Sequence, residues 1–230
     1  MANRIHPTAI IGAGVELGCD NVVGPYCIVV GPCRIGDGNW IGPHVTIGGP
    51  PEYRGGPHPV GWEGEQNLHG VVIGDGNIVR EFASVNGGTG AATAVGSRCY
   101  LMSGSHIGHD SRIDDDATIT SAVQIAGHCR VWTGANLGMG TVVHQFVAIG
   151  PGAMVGMGSS VRKEVGPFTI TVGDPARVVA LNEVGLRRWG CDDHAIAAIE
   201  PYLKGKGEVP SEVPERIARV LNEWAKRTDD

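Results

Sequence analysis

The sequence predicts an all-β fold, a parallel β-helix of six-residue repeats, followed by a C-terminal α-helical extension. Three runs of periodicity and one compositional fact lead there. Reading every sixth residue from Ile5 gives Ile5, Ile11, Leu17, Val23, Val29, Ile35, Ile41 and Ile47. Ile73, Val79 and Val85 make a second run, and a third starts at Val95 and holds through Leu101, Ile107, Ile113, Ile119, Ile125, Val131, Leu137, Val143, Ile149 and Val155 to Val161. A period of six is neither the 3.6 of an α-helix nor the 2 of a half-buried strand. After about Glu183 the period becomes helical. Glycine supplies 37 of 230 residues while aromatics make up 5%, which suits a core of stacked small and branched side chains rather than large rings.

Each six-residue unit is read as one short strand and one corner, and three units close a coil of 18 residues. The aliphatic residue points to the axis and stacks on its equivalents in the coils above and below. At roughly 4.8 Å per parallel strand, about seven to eight coils make a rod of roughly 35 Å. Glycine often follows the aliphatic slot, as at Gly36 and Gly150, where the corner is expected to need its backbone freedom. Cys27, Cys33, Cys99 and Cys129 fall four residues after an aliphatic slot and read as core filler.

Two breaks interrupt the register. The segments near 48–72 and 86–94 are rich in glycine, the first also in proline, and read as loops thrown out of the prism, common places for binding residues. The helix covers 1–178, its last coil the irregular PFTITVGDPARVV, and a helical region covers 179–230. There Ile196, Ile199 and Leu203 share a face behind a plausible N-cap at Asp192, and Ile217, Val220, Leu221 and Trp224 form a second stripe after Pro214.

Composition excludes several classes. The formal charge of −6 argues against nucleic acid as the main partner. No run approaches the roughly 20 apolar residues of a membrane span, and the start shows no secretory signal, so a cytoplasmic protein with reduced thiols is expected. The six cysteines form no CxxC pair, against a zinc ribbon or dithiol redox site. All lysines lie in residues 161–230, the part best suited to an acidic partner.

The chemistry gathers in LMSGSHIGHDSRI, with His106, His109 and Asp110, in IAGHCRV with His128, and in VVHQFVAIG with His144 and Gln145. His109 and His128 are one coil plus one residue apart; His128 and His144 are one coil less two. All three should share one side of the prism in successive coils. An imidazole titrating near 6.5 accepts a proton at neutral pH, and such a base contributes about 10²–10⁴-fold. Asp110 would orient His109 and stabilise the imidazolium.

At these residues the chain resembles the UDP-N-acetylglucosamine O-acyltransferases of lipid A biosynthesis. The resemblance rests on His6 to Ala9, on His106-Ile107-Gly108-His109-Asp110, Ala126-Gly127-His128 and His144-Gln145-Phe146, and on Asn182-Glu183 with Gly185 to Arg188. It implies a left-handed parallel β-helix, a homotrimer with active sites between subunits, and acyl transfer from an acyl carrier protein thioester to the sugar 3-hydroxyl. By the same resemblance His109 is the general base, Gly127 N–H the oxyanion donor, and His106, His128, His144, Gln145, Asn182 and Arg188 hold nucleotide-sugar acceptor or donor. Met157 aligns with a position that limits acyl-chain length, and implies a medium or short chain; a flexible core filler is the plain alternative. No cofactor and no metal are implied.

Two departures from the family pattern stand out. Glu52-Tyr53-Arg54 replaces a lysine-bearing motif, and Asn86-Gly87-Gly88-Thr89 replaces a segment with His and Arg. They keep open a different acceptor, an amino sugar giving an amide, or an acyl-CoA donor. A metal enzyme sharing the prism needs two histidines five apart, which the spacings of 3, 19 and 16 do not supply. A non-catalytic scaffold stays possible, since a fold alone does not imply function.

Overall fold

In a computed structural model, which describes residues 2–55, 58 and 69–227, the chain is a left-handed parallel β-helix closed by α-helices at one end. Three sheets form the faces of the prism. A ten-stranded sheet runs from Arg4–Ile5 to Arg177–Leu181, an eight-stranded sheet from Ile10–Ile11 to Ser160–Val161, and a seven-stranded sheet from Val15–Leu17 to Ala148–Ile149. The tallest face carries nine parallel rungs rather than seven to eight, because Arg4–Ile5 at the start and Thr169–Val172 in the irregular last coil both pair in register.

Most strands are two or three residues long, and their second or third residue is the aliphatic slot. Ile107 pairs with Ile125 and Ile125 with Val143, each one coil apart. Every slot from Val23 to Val161 is buried; Ile5 is 42% exposed, and Ile11 and Leu17 are only partly buried. These three lie in the first described coil, and among the described residues no strand pairs beneath it. The four cysteines predicted as filler are buried in this core, where desolvation pushes Cys33 up to about 12 and Cys99 and Cys129 to about 11, so none offers a reactive thiolate.

The glycine expectation needs correcting. The left-handed corner residue lies three positions after the aliphatic slot, at Gly38, Gly76 and Gly104 but also at Tyr26, His44, Phe82, Asp110 and His128. Gly36 and Gly150 are not left-handed. A β-carbon on Gly36 would lie 2.1 Å from Asp75 Oδ1, and one on Gly150 would lie 2.6 Å from Pro167 N. At these two positions glycine follows the slot because the next coil passes too close for a side chain.

Both insertions preserve the stack. The buried amides of Asn21, Asn39 and Asn77 form a ladder in which Asn39 bonds Asn21 at a separation of 18 and Asn77 bonds Asn39 at 38, so 38 − 18 = 20 extra residues are looped out. The Cys99 N–H then reaches Asn77 Oδ1 at a separation of 22, four more than a coil. Residues 56, 57 and 59–68 of the first insertion lie outside the described residues. The second is tied to the first by Gly88 N–H to Gly70 O at 3.1 Å and His69 N–H to Gly88 O at 3.2 Å.

After Thr169–Val172 the strand Arg177–Leu181 turns back antiparallel, which ends the ladder. Three helices follow: α1 (Glu183–Arg188), α2 (Asp193–Leu203) and α3 (Glu215–Ala225). Asp192 caps α2 through Ala195 N–H at 2.8 Å, and Pro214 precedes α3. Their apolar faces gather Leu186, Ile199, Ile217 and Leu221 around Phe168 of the last coil, and Trp224 meets Trp132 edge-on. Among the described residues no helix is long and apolar enough to cross a membrane.

The two kinds of glycine separate experimentally. Gly38 is left-handed with open space around its missing β-carbon, so Gly38→Ala should cost about 1 kcal/mol of unfolding free energy. Gly36→Ala forces the next coil away and should cost about 3 kcal/mol. Urea unfolding of both variants checks the order, and a larger loss for Gly38→Ala would refute the close-approach account.

Candidate active site

One edge of the prism, where the chain leaves the eight-stranded sheet for the seven-stranded one, carries the predicted chemistry. His109 and Asp110 follow the strand His106–Ile107, Gly127 and His128 follow Gln124–Ile125 one coil above, and Gln145 and Phe146 follow Val142–Val143 above that. Asp110, His128 and Phe146 occupy the left-handed corner position, with φ of 57°, 59° and 62°.

His109 Nδ1 lies 2.7 Å from Asp110 Oδ2. Burial by itself would raise the Asp110 carboxyl, but N–H donors from Ala91 and Thr89, together with His109 and the Thr89 hydroxyl, outweigh it and hold the group well below the ordinary carboxylate range. An ionised carboxylate only accepts, so Nδ1 carries the imidazole proton and Nε2 is the basic nitrogen. The Cε1–Nε2 edge lies against the Cα of Gly127. A β-carbon there would sit 2.7 Å from both ring atoms, and any residue but glycine would displace the ring.

The Gly127 N–H finds no acceptor among the described residues. The lower coils of the corner after the seven-stranded sheet are different. There the amides of Cys19, Asp37, Asp75 and Ser97 each donate to a side-chain oxygen of the coil above, those of Asp37, Asp75, Ser97 and Asp115. At residue 127 the position above is Gln145, which instead lines a cleft of about 290 Å³ with Glu52, His106, His109, Gln124 and Gly127. A free N–H beside a base facing one cleft is the arrangement that acyl transfer uses: the base takes a hydroxyl proton, and the amide meets the charge that develops on the carbonyl oxygen.

The other predicted residues fall in three groups. His106 lies beside His109 in the cleft, its Nδ1 2.8 Å from Ser84 Oγ and its Nε2 3.6 Å from Glu52. Burial, opposed by Glu52, pulls its pKa below the ordinary imidazole value. His128 sits on the far side of the dyad, edge-on to His109 at 5.0 Å and stacked on Phe146 at 4.7 Å, and lines a second hollow of about 410 Å³ with Asp110, Arg130 and Trp132. His144 is exposed, its Nδ1–H donating to Gln145 O. Asn182 caps α1 through Gly185 N–H and donates to Gly152 O, and neither it nor Arg188 lines the His109 cleft. Met157 is 80% exposed, which rules out the core-filler reading in this chain.

Sequence reasoning missed the groups that the insertions deliver. Glu52 reaches His106, Tyr53 lies 6.4 Å from His109 between ring centroids, and Thr89 bonds Asp110. Loop shape is not set by a six-residue period, so the spacing arithmetic that lined up the histidines could not find them. His109, Asp110 and His128 bring ligand-type atoms within 4.8 Å of one another, but both Asp110 oxygens already accept several hydrogen bonds. A metal ion would have to displace those donors.

A family model described as bacterial transferase hexapeptide (six repeats) matches residues 14–49. The chain is 37% identical over 236 residues, covering 96% of its own length and 91% of the relative, to an acyl-(acyl-carrier-protein)–UDP-N-acetylglucosamine O-acyltransferase of Anaeromyxobacter dehalogenans. A protein of the same name from Alkalilimnicola ehrlichii is 36% identical over 163 residues, which span 70% of this chain and 57% of that relative. The crystal structure of a UDP-N-acetylglucosamine O-acyltransferase from Moraxella catarrhalis superposes with a TM-score of 0.73 at 28% identity, over 96% of this chain and 93% of that one. With the hexad prism, the edge-mounted histidines and this near-full-length identity together, the chain belongs to the acyl-(acyl-carrier-protein)–UDP-N-acetylglucosamine O-acyltransferase family.

Proposed function

We propose that the protein transfers a fatty acyl group from an acyl carrier protein thioester to the 3-hydroxyl of UDP-N-acetylglucosamine, with His109 as general base. The observation that carries this is the His109–Asp110 pair at 2.7 Å with the basic edge of the ring against Gly127. His109 Nε2 takes the hydroxyl proton as the sugar oxygen attacks the thioester carbonyl. The Gly127 N–H donates to the oxyanion. On collapse the C–S bond breaks, and the departing sulfur takes the proton back from the imidazolium. Asp110, held ionised, keeps the ring in the tautomer this requires. The thioester is already activated, so this reading calls for no cofactor.

His106, Gln124, Gln145 and Glu52, which share the cleft with His109, are positioned to hold the acceptor. His128, His144, Asn182 and Arg188 lie outside it in the same chain, and a homotrimer with sites between subunits gives them a place beside a neighbour's cleft. The exposure of Met157 (80%), Phe146 (64%), Phe82 (63%) and Met139 (60%) supports that assembly, since large apolar side chains on a rigid rod are stabilised by a covering surface.

Product analysis by mass spectrometry tests the reaction. UDP-N-acetylglucosamine and its 3-amino analogue are each supplied with acyl carrier protein and coenzyme A thioesters. The 3-O-acyl product from the carrier-protein donor is expected, and His109→Ala should lower kcat by about 10²–10⁴-fold. Exclusive acylation of the amino analogue would move the assignment to an N-acyltransferase, a substitution that the loop Asn86-Gly87-Gly88-Thr89 would make understandable.

Met157 is proposed to close the acyl groove, giving a medium or short chain. Met157→Gly should shift preference to longer donors, by about four-fold in kcat/KM per added methylene that the groove newly buries. Competition among donors of graded length measures this, and an unchanged preference would remove Met157 from that role.

A further inference from the structure

The Asp110 carboxylate is wrapped by one short loop. Its Oδ1 accepts from the backbone N–H groups of Thr89 (3.0 Å), Gly90 (2.7 Å) and Ala91 (2.8 Å). Its Oδ2 accepts from the Thr89 N–H at 2.9 Å, the Thr89 hydroxyl at 2.7 Å and His109 Nδ1 at 2.7 Å. The Asp110 N–H in turn donates to the Thr93 hydroxyl at 2.9 Å. Three successive amides aimed at one anion form a backbone nest, and the Asp110 side chain is only 4% exposed within it. Asp110 needs this support, because its φ of 57° is unfavourable for a residue with a β-carbon.

The nest amides are present whatever side chain the loop carries. The Thr89 hydroxyl is different: it is a side-chain donor, and it shares Oδ2 with His109. We infer that Thr89 is a positioning residue for the acyl transfer. Its hydroxyl occupies one side of Oδ2, confines the His109 Nδ1–H to the other, and so fixes the direction in which Nε2 faces Gly127 and the cleft. This rests on the reading of His109 as the base.

Removing the hydroxyl should do two things. The ring gains freedom to swing about its bond to Oδ2, which lowers turnover without touching the groups that hold the acceptor. Oδ2, less neutralised by donors, also attracts the imidazolium more strongly, so His109 protonates at higher pH. The other titratable groups around His109 are His128 at its edge, Tyr53 facing it, and His106 with Glu52 beyond. The substitution leaves all of them in place.

Thr89→Val keeps the shape and deletes the donor; Thr89→Ser restores it. kcat, KM for the nucleotide sugar and the pH profile of kcat/KM over about pH 5–8 are measured for both, beside wild type and His109→Ala. Thr89→Val should lower kcat about ten-fold with KM held within about two-fold and move the acid limb to higher pH, and Thr89→Ser should recover both. A Thr89→Val enzyme with wild-type kcat and acid limb overturns the inference. So does a loss that the serine variant fails to recover, or one that appears in kcat, KM and melting temperature together with no change in the pH profile. If His109→Ala is as active as wild type, the base assignment itself fails, a result read independently of the Thr89 pair.

Discussion

A two-residue strand has almost no stability of its own. What holds Ile125 in place is Ile107 below it and Val143 above it, each one coil away and each delivered by parallel backbone pairing. Burying one such aliphatic side chain contributes about 1.5–3 kcal/mol, and the prism repeats this from Val23 to Val161. Polar groups follow the same vertical logic. The Asn21–Asn39–Asn77 amides bond up the stack, as do the carboxylates of Asp37, Asp75 and Asp115 at the corners. The two ends of the described stack differ: Ile5 in the first coil is exposed, while the last coil is closed by an antiparallel strand and the apolar faces of α1, α2 and α3.

The corner geometry that stacking imposes is also where the proposed catalytic groups sit. Every coil needs a left-handed residue three positions after the aliphatic slot, and glycine serves at 104, 134, 140 and 158. At the edge of the proposed site the same position holds Asp110, His128 and Phe146. Each carries about 1 kcal/mol or more of backbone strain that glycine would avoid, and each has contacts that offset it. Asp110 has its nest, and His128 stacks between the dyad and Phe146. Strain held by packing in this way fixes side-chain direction, and direction is what a general base requires.

The period of six made the rod legible, because one repeated physical demand, an aliphatic residue facing the axis, prints itself on the sequence at every turn. The coil length of 18 then placed His109 and His128 together, and the structure brings their rings within 5.0 Å. The same arithmetic failed for Glu52, Tyr53 and Thr89, which lie in insertions outside the repeat. It also misread Gly36 and Gly150: the pattern shows that glycine is wanted after the slot but not whether the reason is φ or room. The three-dimensional approach of the next coil settles that.

Both insertions leave the prism at one edge. The first lies between strands Thr46–Gly49 and Val71–Ile73, and the second between Ser84–Asn86 and Thr93–Val95. Each joins the eight-stranded sheet to the seven-stranded one, in the two coils directly below His109. A loop inserted there need rise only one or two coils to reach the dyad, which is how Glu52 meets His106 and Thr89 meets Asp110. The edge after the seven-stranded sheet could not accept such loops at equal cost, because side-chain ladders already occupy its amides from Cys19 to Ser97. At the edge the insertions reach, the Gly127 N–H has no acceptor among the described residues and is open to a reacting carbonyl under the proposed mechanism, while Thr89 to Ala91 of the second insertion hold the Asp110 carboxylate. The rigidity that makes the rod stable is thus also what holds the groups of this edge, and the loops that reach it, in fixed positions.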